Sequence, residues 1–175
     1  TAYIPDLIRL GEQRIFYGAD DPYPSNPLRI PAMQTQETGT ITSSTIAFPT
    51  RFLEPIRIAA TNGNETWSLV YVAPERYSEQ SNSTGLPTAY TYLNNSLMVG
   101  GSESASYTLD YYQAFASLSA DADYNWVLTN APGVYLYAAL IEAAPFLGDP
   151  SMLNQWVAMF KSSINALNRS TKYLA

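Results

Sequence analysis

Carboxylates are the side chains of this chain best suited to acid–base catalysis or to binding a metal ion. They lie close together in the sequence at three places: Asp20-Asp21, Asp121-x-Asp123, and Glu103 with Asp110. Neighbouring acidic residues in loops are usually solvated turn residues. The Asp121 pair also lacks the glycine and the terminal glutamate of a calcium-binding loop. We therefore expect no catalytic residue, no bound metal and no cofactor.

The sequence contains no histidine and no cysteine. Histidine is the commonest general base near neutral pH and the commonest metal ligand, so its absence excludes a Ser–His–Asp triad. The absence of cysteine excludes disulfides, zinc–thiolate sites and a cysteine nucleophile. Most classes of enzyme are thereby removed, and we predict that the chain is not an enzyme.

Tyrosine is unusually frequent, with 14 residues, and these concentrate in the second half of the chain. One interpretation is a stacking platform for sugar rings or bases, which would make the chain a carbohydrate-binding module. The commoner explanation is packing within the protein and at subunit interfaces, where tyrosine buries a large area while its hydroxyl keeps a hydrogen-bond partner.

Only 14% of the residues are charged, so the surface must consist mainly of uncharged polar side chains. Such a surface can be buried against neighbours without stranding many ionised groups, which favours a subunit of an assembly. The formal net charge is −6, and the basic residues are scattered singly. This distribution argues against tight DNA binding but allows a surface that DNA slides past.

Helical patterns mark the two ends of the chain. Apolar residues recur at the spacing of one helix face at Ile4, Leu7, Ile8, Gly11 and Ile15. This spacing predicts a helix over Ile4–Phe16. The segment Gly133–Leu147 is apolar on nearly all sides, so we expect a centrally buried helix that Pro145 kinks or ends. A second helix is predicted from Ser151 to about Asn168, completing an αα-hairpin.

The middle of the chain is rich in strand-forming residues and turn signals. Gly39 interrupts the first predicted strand, and Asn62-Gly63-Asn64 predicts a hairpin with the return strand Trp67–Val72. The segment Ser78–Pro87 has the composition of a loop. The element order predicts an α+β fold: a small helical bundle (N-terminal helix plus C-terminal αα-hairpin) packed with an antiparallel β-sheet.

The length fits a single domain over residues 1–175. Within it we expect a β-rich insertion region at 33–115, a C-terminal helical hairpin at 130–168 and an extension at 169–175. No run of about 18 apolar residues is present, so we expect no membrane span, and the N-terminal segment predicts no signal peptide.

Several motifs stand out in the C-terminal half: Asn125-Trp126-Val127-Leu128, the run from Ala131-Pro132 through Tyr135-Leu136-Tyr137 to Ala144, and Phe146-Leu147-Gly148-Asp149 with Trp156. Together they resemble the head-to-tail adaptor proteins of short-tailed bacteriophages, also called connector or tail accessory proteins. The segment Leu7–Ile15 and the step Phe48-Pro49-x-x-Phe52-Leu53 are similar to the first helix and a strand turn of the same family.

The resemblance implies a structural protein of the virion, located between head and tail and assembled in the host cytoplasm. It implies a homo-oligomeric ring, commonly of about twelve copies, bound beneath the portal protein. The opposite face would receive a tail nozzle or tail tube protein, and genomic DNA would pass through the channel without specific binding. Another phage tail-completion or minor capsid protein is the alternative within the same class.

The resemblance also implies that a C-terminal extension docks on the portal. The corresponding residues are Asn168, Arg169, Lys172, Tyr173 and Leu174. This extension is basic in an acidic protein and ends in apolar residues that could anchor on binding. A second interface is expected in the loop 78–88, at Glu79, Gln80, Asn82, Thr84 and Leu86. This loop would face either the distal tail or the solvent.

Overall fold

A computed structural model describes residues 3–41, 43–81, 85–101, 103–148 and 150–170. In chain order the elements are α1 (Ile4–Tyr17), β1 (Gln34–Thr40), β2 (Thr45–Ala47), β3 (Phe52–Asn62), β4 (Glu65–Ser68), β5 (Val70–Tyr71), α2 (Pro74–Ser81), β6 (Ala89–Leu93), β7 (Ser96–Gly100), β8 (Ser106–Gln113), α3 (Trp126–Asn130), α4 (Pro132–Leu147) and α5 (Leu153–Ser170). Single 3-10 turns precede β1 and α5. This content confirms the predicted α+β class.

The chain divides into two compact units. The first combines Thr1–Met33 with Ala114–Ala175 and contains α1, α3, α4 and α5. The second is Gln34–Gln113 and contains the strands and α2. The functional division into an insertion region, a helical hairpin and an extension stays a prediction.

In the first unit, α4 packs against both α1 and α5. A Cβ atom placed on Gly11 of α1 would lie 3.2 Å from the Cβ of Ala138 on α4, so the absence of a side chain lets these helices approach closely. On α5, Phe160 and Ile164 are buried. The helical spacing read from the sequence is therefore confirmed for α1 and α5.

Helix α4 is less buried than its apolar sequence predicts. Val134, Ala138 and Ile141 face the core, but Leu136 and Phe146 are exposed, the latter to 73%. The expectation of a centrally buried helix was therefore wrong for one side of α4, because α1, α3 and α5 cover only part of its circumference. Pro145 lies in the last turn, and the helix continues past it to Leu147, where Gly148 caps it in the left-handed conformation.

The second unit is a sandwich of two four-stranded sheets. The first sheet has the order β1-β8-β3-β4 and is antiparallel throughout, and the second has the order β2-β7-β6-β5. One buried cluster contains Ile58 and Leu109 from the first sheet with Ile46, Leu97 and Val99 from the second. The two sheets therefore bury their inner faces against each other.

The predicted return strand Trp67–Val72 is divided between the two sheets. Its first part is β4, which pairs with β3, and its last part is β5, which runs parallel to β6. Buried Leu69 lies at the crossing, where its N–H donates to the Ile58 carbonyl at 2.8 Å and the next N–H, of Val70, donates to Thr88 at 3.0 Å. The second sheet is consequently mixed rather than antiparallel.

Two further local predictions were wrong. Strand β1 runs through Gly39 without interruption, because its backbone pairs with β8 on both sides of this residue, and the ring of Tyr107 occupies the space that a side chain would need. The segment Ser78–Ser81, predicted to be a loop, forms the second half of α2, which begins at Pro74. Buried Tyr77 fixes α2, which contacts β6 and β7, and this burial raises the pKa of its hydroxyl.

Candidate functional site

Two of the acidic residues singled out from the sequence, Asp110 and Asp123, serve as structural links. The carboxylate of Asp123 accepts hydrogen bonds from the N–H groups of Ser119 at 2.7 Å and Ala120 at 2.8 Å, and these bonds lower its pKa. Asp110 accepts from Gln36 at 2.6 Å and from Arg57 at 2.9 Å, and these partners lower its pKa. In the described part of the chain, no group of three or more Asp or Glu residues could hold a metal ion.

A buried hydrogen-bond network links α1, α3 and α4. Asn125 caps α3 by accepting from the N–H of Leu128 at 3.0 Å, and its amide donates to the Tyr135 hydroxyl at 2.7 Å. That hydroxyl donates to Glu12 at 3.4 Å, and Glu12 also accepts from the N–H of Leu118 at 2.8 Å. The Asn-Trp and Tyr-Leu-Tyr motifs thus contribute side chains that hold the first unit together.

The proposed portal residues separate into three groups. Asn168 accepts from the N–H of Arg29 at 2.8 Å and donates to the Pro27 carbonyl at 2.9 Å, so it joins α5 to the proline-rich connector after α1. Arg169 is exposed, and its Nε donates to the Asn165 carbonyl of its own helix at 3.2 Å. Lys172, Tyr173 and Leu174 lie outside the described residues.

The five residues proposed for the second interface also lie in different kinds of structure. Glu79 and Gln80 belong to the last turns of α2 rather than to a loop. Asn82 and Thr84 lie outside the described residues, and Leu86 is half-buried. After Leu86 the chain is held by Trp67, whose indole N–H donates to the carbonyl of Pro87 at 2.5 Å. The structure therefore places the first two of these five residues in a helix instead of a loop.

An exposed apolar patch on the first unit was missed at the sequence level. We define the α4 patch as Tyr3, Phe146 and Leu147, which are all more than half exposed. The rings of Tyr3 and Phe146 stack with centroids 6.4 Å apart. Exposed apolar groups of this kind mark protein–protein contacts. The signal was present in the all-round apolar character of α4, which was interpreted as central burial.

An aromatic cluster combines Tyr71, Tyr90 and Tyr92 of the second sheet with Phe48, which follows β2, and with Phe52 of β3 in the first sheet. Tyr90 and Tyr92 meet edge to face, with an interplanar angle of 86°. Burial raises the pKa of both hydroxyls. Only the rings of Tyr71 and Tyr92 are more than one-third exposed, at 50% and 38%. Mutually crossed rings do not offer a flat row for stacking sugars.

Comparison with protein families gives a match over residues 1–174 to the family described as SU10 adaptor protein. The chain belongs to the SU10 adaptor protein family. No curated protein matches the sequence significantly.

Membership of the SU10 adaptor family confirms the resemblance carried by the motifs around Asn125 and Tyr135. The protein is a phage adaptor and a structural component of the virion. Among the described helices of this adaptor, none has the length and apolar character needed to cross a membrane.

Proposed function

We propose that this adaptor assembles as a homo-oligomeric ring beneath the portal protein and links the portal to the tail. The match of the family over residues 1–174 carries this proposal. The α4 patch and the low charge content support it, because both can be buried between proteins at a small desolvation cost. A ring of about twelve copies is proposed, with closed rotational symmetry.

The end of α5 is the proposed portal-binding element. Asn168 ties the helix end to the connector, so the residues that follow start from a fixed position. Exposed Arg169 and the basic and apolar residues Lys172, Tyr173 and Leu174 would then contact the portal. Asn168 itself is proposed to position this element, because its side chain is already occupied within the first unit.

Light scattering of the purified adaptor, alone and mixed with its cognate portal, tests this proposal. We expect a defined ring on the portal, and a truncation that removes residues 171–175 should weaken portal binding by about tenfold or more. A matched control keeps the length of the chain but replaces the same five residues with a glycine–serine tail, which removes their side chains. Truncation after Ser170 leaves α5 intact, so thermal unfolding of the free protein should change little. Equal portal binding by the truncated and full-length chains would contradict the role of this extension.

The C-terminal end of α2 and the following segment are proposed to contact a tail nozzle or tail tube protein. This region carries Glu79, Gln80, Asn82, Thr84 and Leu86. We expect Glu79→Lys with Gln80→Lys to weaken binding of the purified tail protein while portal binding is unchanged. The reverse result, weaker portal binding with normal tail binding, would assign this region to the portal face.

Genomic DNA is proposed to pass through the ring without specific binding, and assembly is proposed to occur in the host cytoplasm. The alternative of a carbohydrate-binding module has weaker support, because the aromatic cluster crosses its rings instead of aligning them. The adaptor family likewise favours this role over a separate tail-completion or minor capsid protein.

A further inference from the structure

Strand β1 is a long sheet edge, and no strand among the described residues pairs with its outer side. It contains seven residues and pairs with β8 on one side only. Monomeric proteins usually protect such edges with lysine, proline, bulges or short strands. Strand β1 has none of these features, and its pairing with β8 runs without a register shift. Its one charged residue, Glu37, accepts a hydrogen bond from the Tyr107 hydroxyl at 3.1 Å.

The pairing shows which backbone groups of β1 face outward. Beyond the end of β1, the N–H of Ile41 donates to the Ala105 carbonyl at 2.9 Å. Hydrogen-bonded pairs alternate along an antiparallel ladder, so Thr35, Glu37 and Gly39 bond to β8. Gln36 and Thr38 therefore direct their N–H and C=O groups away from the sheet, and both residues are exposed.

Strand β4 is the opposite edge of the same sheet. The N–H of Leu69 donates to the Ile58 carbonyl, so these two residues form a hydrogen-bonded pair, and every second residue before Leu69 also bonds to β3. Thr66 and Ser68 accordingly direct their backbone groups away from β3, and both residues are exposed. The sheet thus presents outward-facing donors and acceptors at both of its edges.

The two edges are complementary in direction. All neighbours in the order β1-β8-β3-β4 are antiparallel, so β1 and β4 run in opposite directions. When the β4 edge of one copy meets the β1 edge of the next, the two strands are antiparallel. The alternation of strand directions within each sheet then continues across the contact. This contact joins different surfaces, as closure of a ring requires, whereas β1 against β1 would be a two-fold contact that ends at a dimer.

We propose that β4 of one subunit pairs with β1 of a second copy of this chain, so that the first sheet continues from subunit to subunit. This inference rests on the ring put forward under Proposed function and specifies one contact between its neighbours. The main-chain hydrogen bonds would join Thr66 and Ser68 to the Gln36–Thr38 region. The four residues whose backbone groups would pair, Gln36, Thr38, Thr66 and Ser68, are uncharged, so no ionised side chain of these four residues is buried in the contact.

Cysteine cross-linking tests the contact, because the natural chain contains no cysteine. A Thr38→Cys, Ser68→Cys double variant is assembled on the portal and treated with a short thiol-specific cross-linker. We expect a ladder of covalent dimers, trimers and larger species, because each subunit carries both halves of the contact. The single variants Thr38→Cys and Ser68→Cys serve as matched controls and should remain monomeric on a denaturing gel.

The outcomes separate this contact from the adaptor function. Covalent dimers from Thr38→Cys alone would show β1 against β1 and overturn the inference. A ring on the portal without any ladder from the double variant would overturn the edge contact and leave the adaptor role standing. Failure of the unmodified chain to bind the portal or to self-associate would overturn both.

Backbone substitution gives a second, independent test. Thr38→Pro removes an N–H that points away from β8 and has no acceptor among the described residues, and proline is tolerated at such edge positions. We expect ring assembly to weaken by about tenfold or more, while Thr38→Val, which keeps the N–H, assembles normally. Circular dichroism confirms that both variants are folded. Equal assembly of the folded proline and valine variants would overturn the proposed pairing.

Discussion

The hydroxyl of Tyr135 lies between two buried polar side chains, the amide of Asn125 and the carboxylate of Glu12. Tyr135→Phe would leave both without this partner, and an unsatisfied buried polar group costs about 1–3 kcal/mol. We expect a loss of stability of this size in urea unfolding at neutral pH. Tyr137→Phe is the matched control, because no hydrogen bond of the Tyr137 hydroxyl occurs among the described residues. A loss below about 0.5 kcal/mol for Tyr135→Phe would contradict the role of the network.

The same hydroxyl also makes the stability of the protein depend on pH in the alkaline range. Burial, reinforced by the charge of Glu12, raises the pKa of Tyr135 from 10.0 to about 12, although the Asn125 hydrogen bond acts in the opposite direction. The folded chain therefore keeps this proton where the unfolded chain loses it. The contribution is complete below pH 10 and disappears as the pH rises from 10 to about 12. Tyr135→Phe should flatten this part of the pH–stability curve, and the remaining slope comes from the other buried tyrosines.

Sequence reasoning found the residues of this network but not their roles. Asn125 and Tyr135 were recognised as parts of a family motif, because their types and spacing are local properties. Their partner Glu12 lies more than a hundred positions earlier in the chain, and no local pattern connects it to them.

At the scale of elements, strand β1 depends on a glycine beneath an aromatic ring. A Cβ placed on Gly39 would lie 2.8 Å from the Tyr107 ring and 2.9 Å from its hydroxyl oxygen, which bonds to Glu37. Gly39→Ala should displace this ring and destabilise the protein by about 1–3 kcal/mol in thermal or urea unfolding. Thr38→Ala, on the opposite face of the strand, is the matched control.

A double-mutant cycle separates this contact from a general effect of alanine in the strand. In a Tyr107→Leu background the clash is removed, so Gly39→Ala should cost at least about 0.5 kcal/mol less than in the natural chain. An equal cost in both backgrounds would show that the ring does not set the requirement for glycine.

The elements predicted correctly are those whose pattern is local. The apolar spacing of α1 and α5 predicts both helices because a helix buries residues three and four positions apart. The division of Trp67–Val72 was invisible, since Leu69 is as suited to a strand as its neighbours are. The two halves, β4 and β5, join different sheets because the N–H of Leu69 bonds to Ile58 and that of Val70 bonds to Thr88. These partners are brought close only by the tertiary structure.

At the scale of the whole molecule, the charge distribution bears on the proposed passage of DNA through the ring. The net charge is −6, and every copy in a ring would carry the same excess. The described basic side chains are also partly engaged within the chain: Arg14 with Glu142 at 2.6 Å and Arg57 with Asp110 at 2.9 Å. Such a surface repels the phosphate backbone, so DNA can pass it without being held.

We therefore expect the assembled adaptor to show no retention of double-stranded DNA in a filter-binding or gel-shift assay, even at low salt. The matched control is a triple variant of exposed acidic residues, Glu75→Lys, Glu103→Lys and Asp121→Lys, which brings the net charge of each copy from −6 to zero. Because phosphate binding depends on the positive charge presented, only this variant should gain DNA retention, and that retention should fall steeply with added salt. Salt-sensitive DNA retention by the natural chain would instead indicate a basic channel surface, and the proposal of free passage would have to be abandoned.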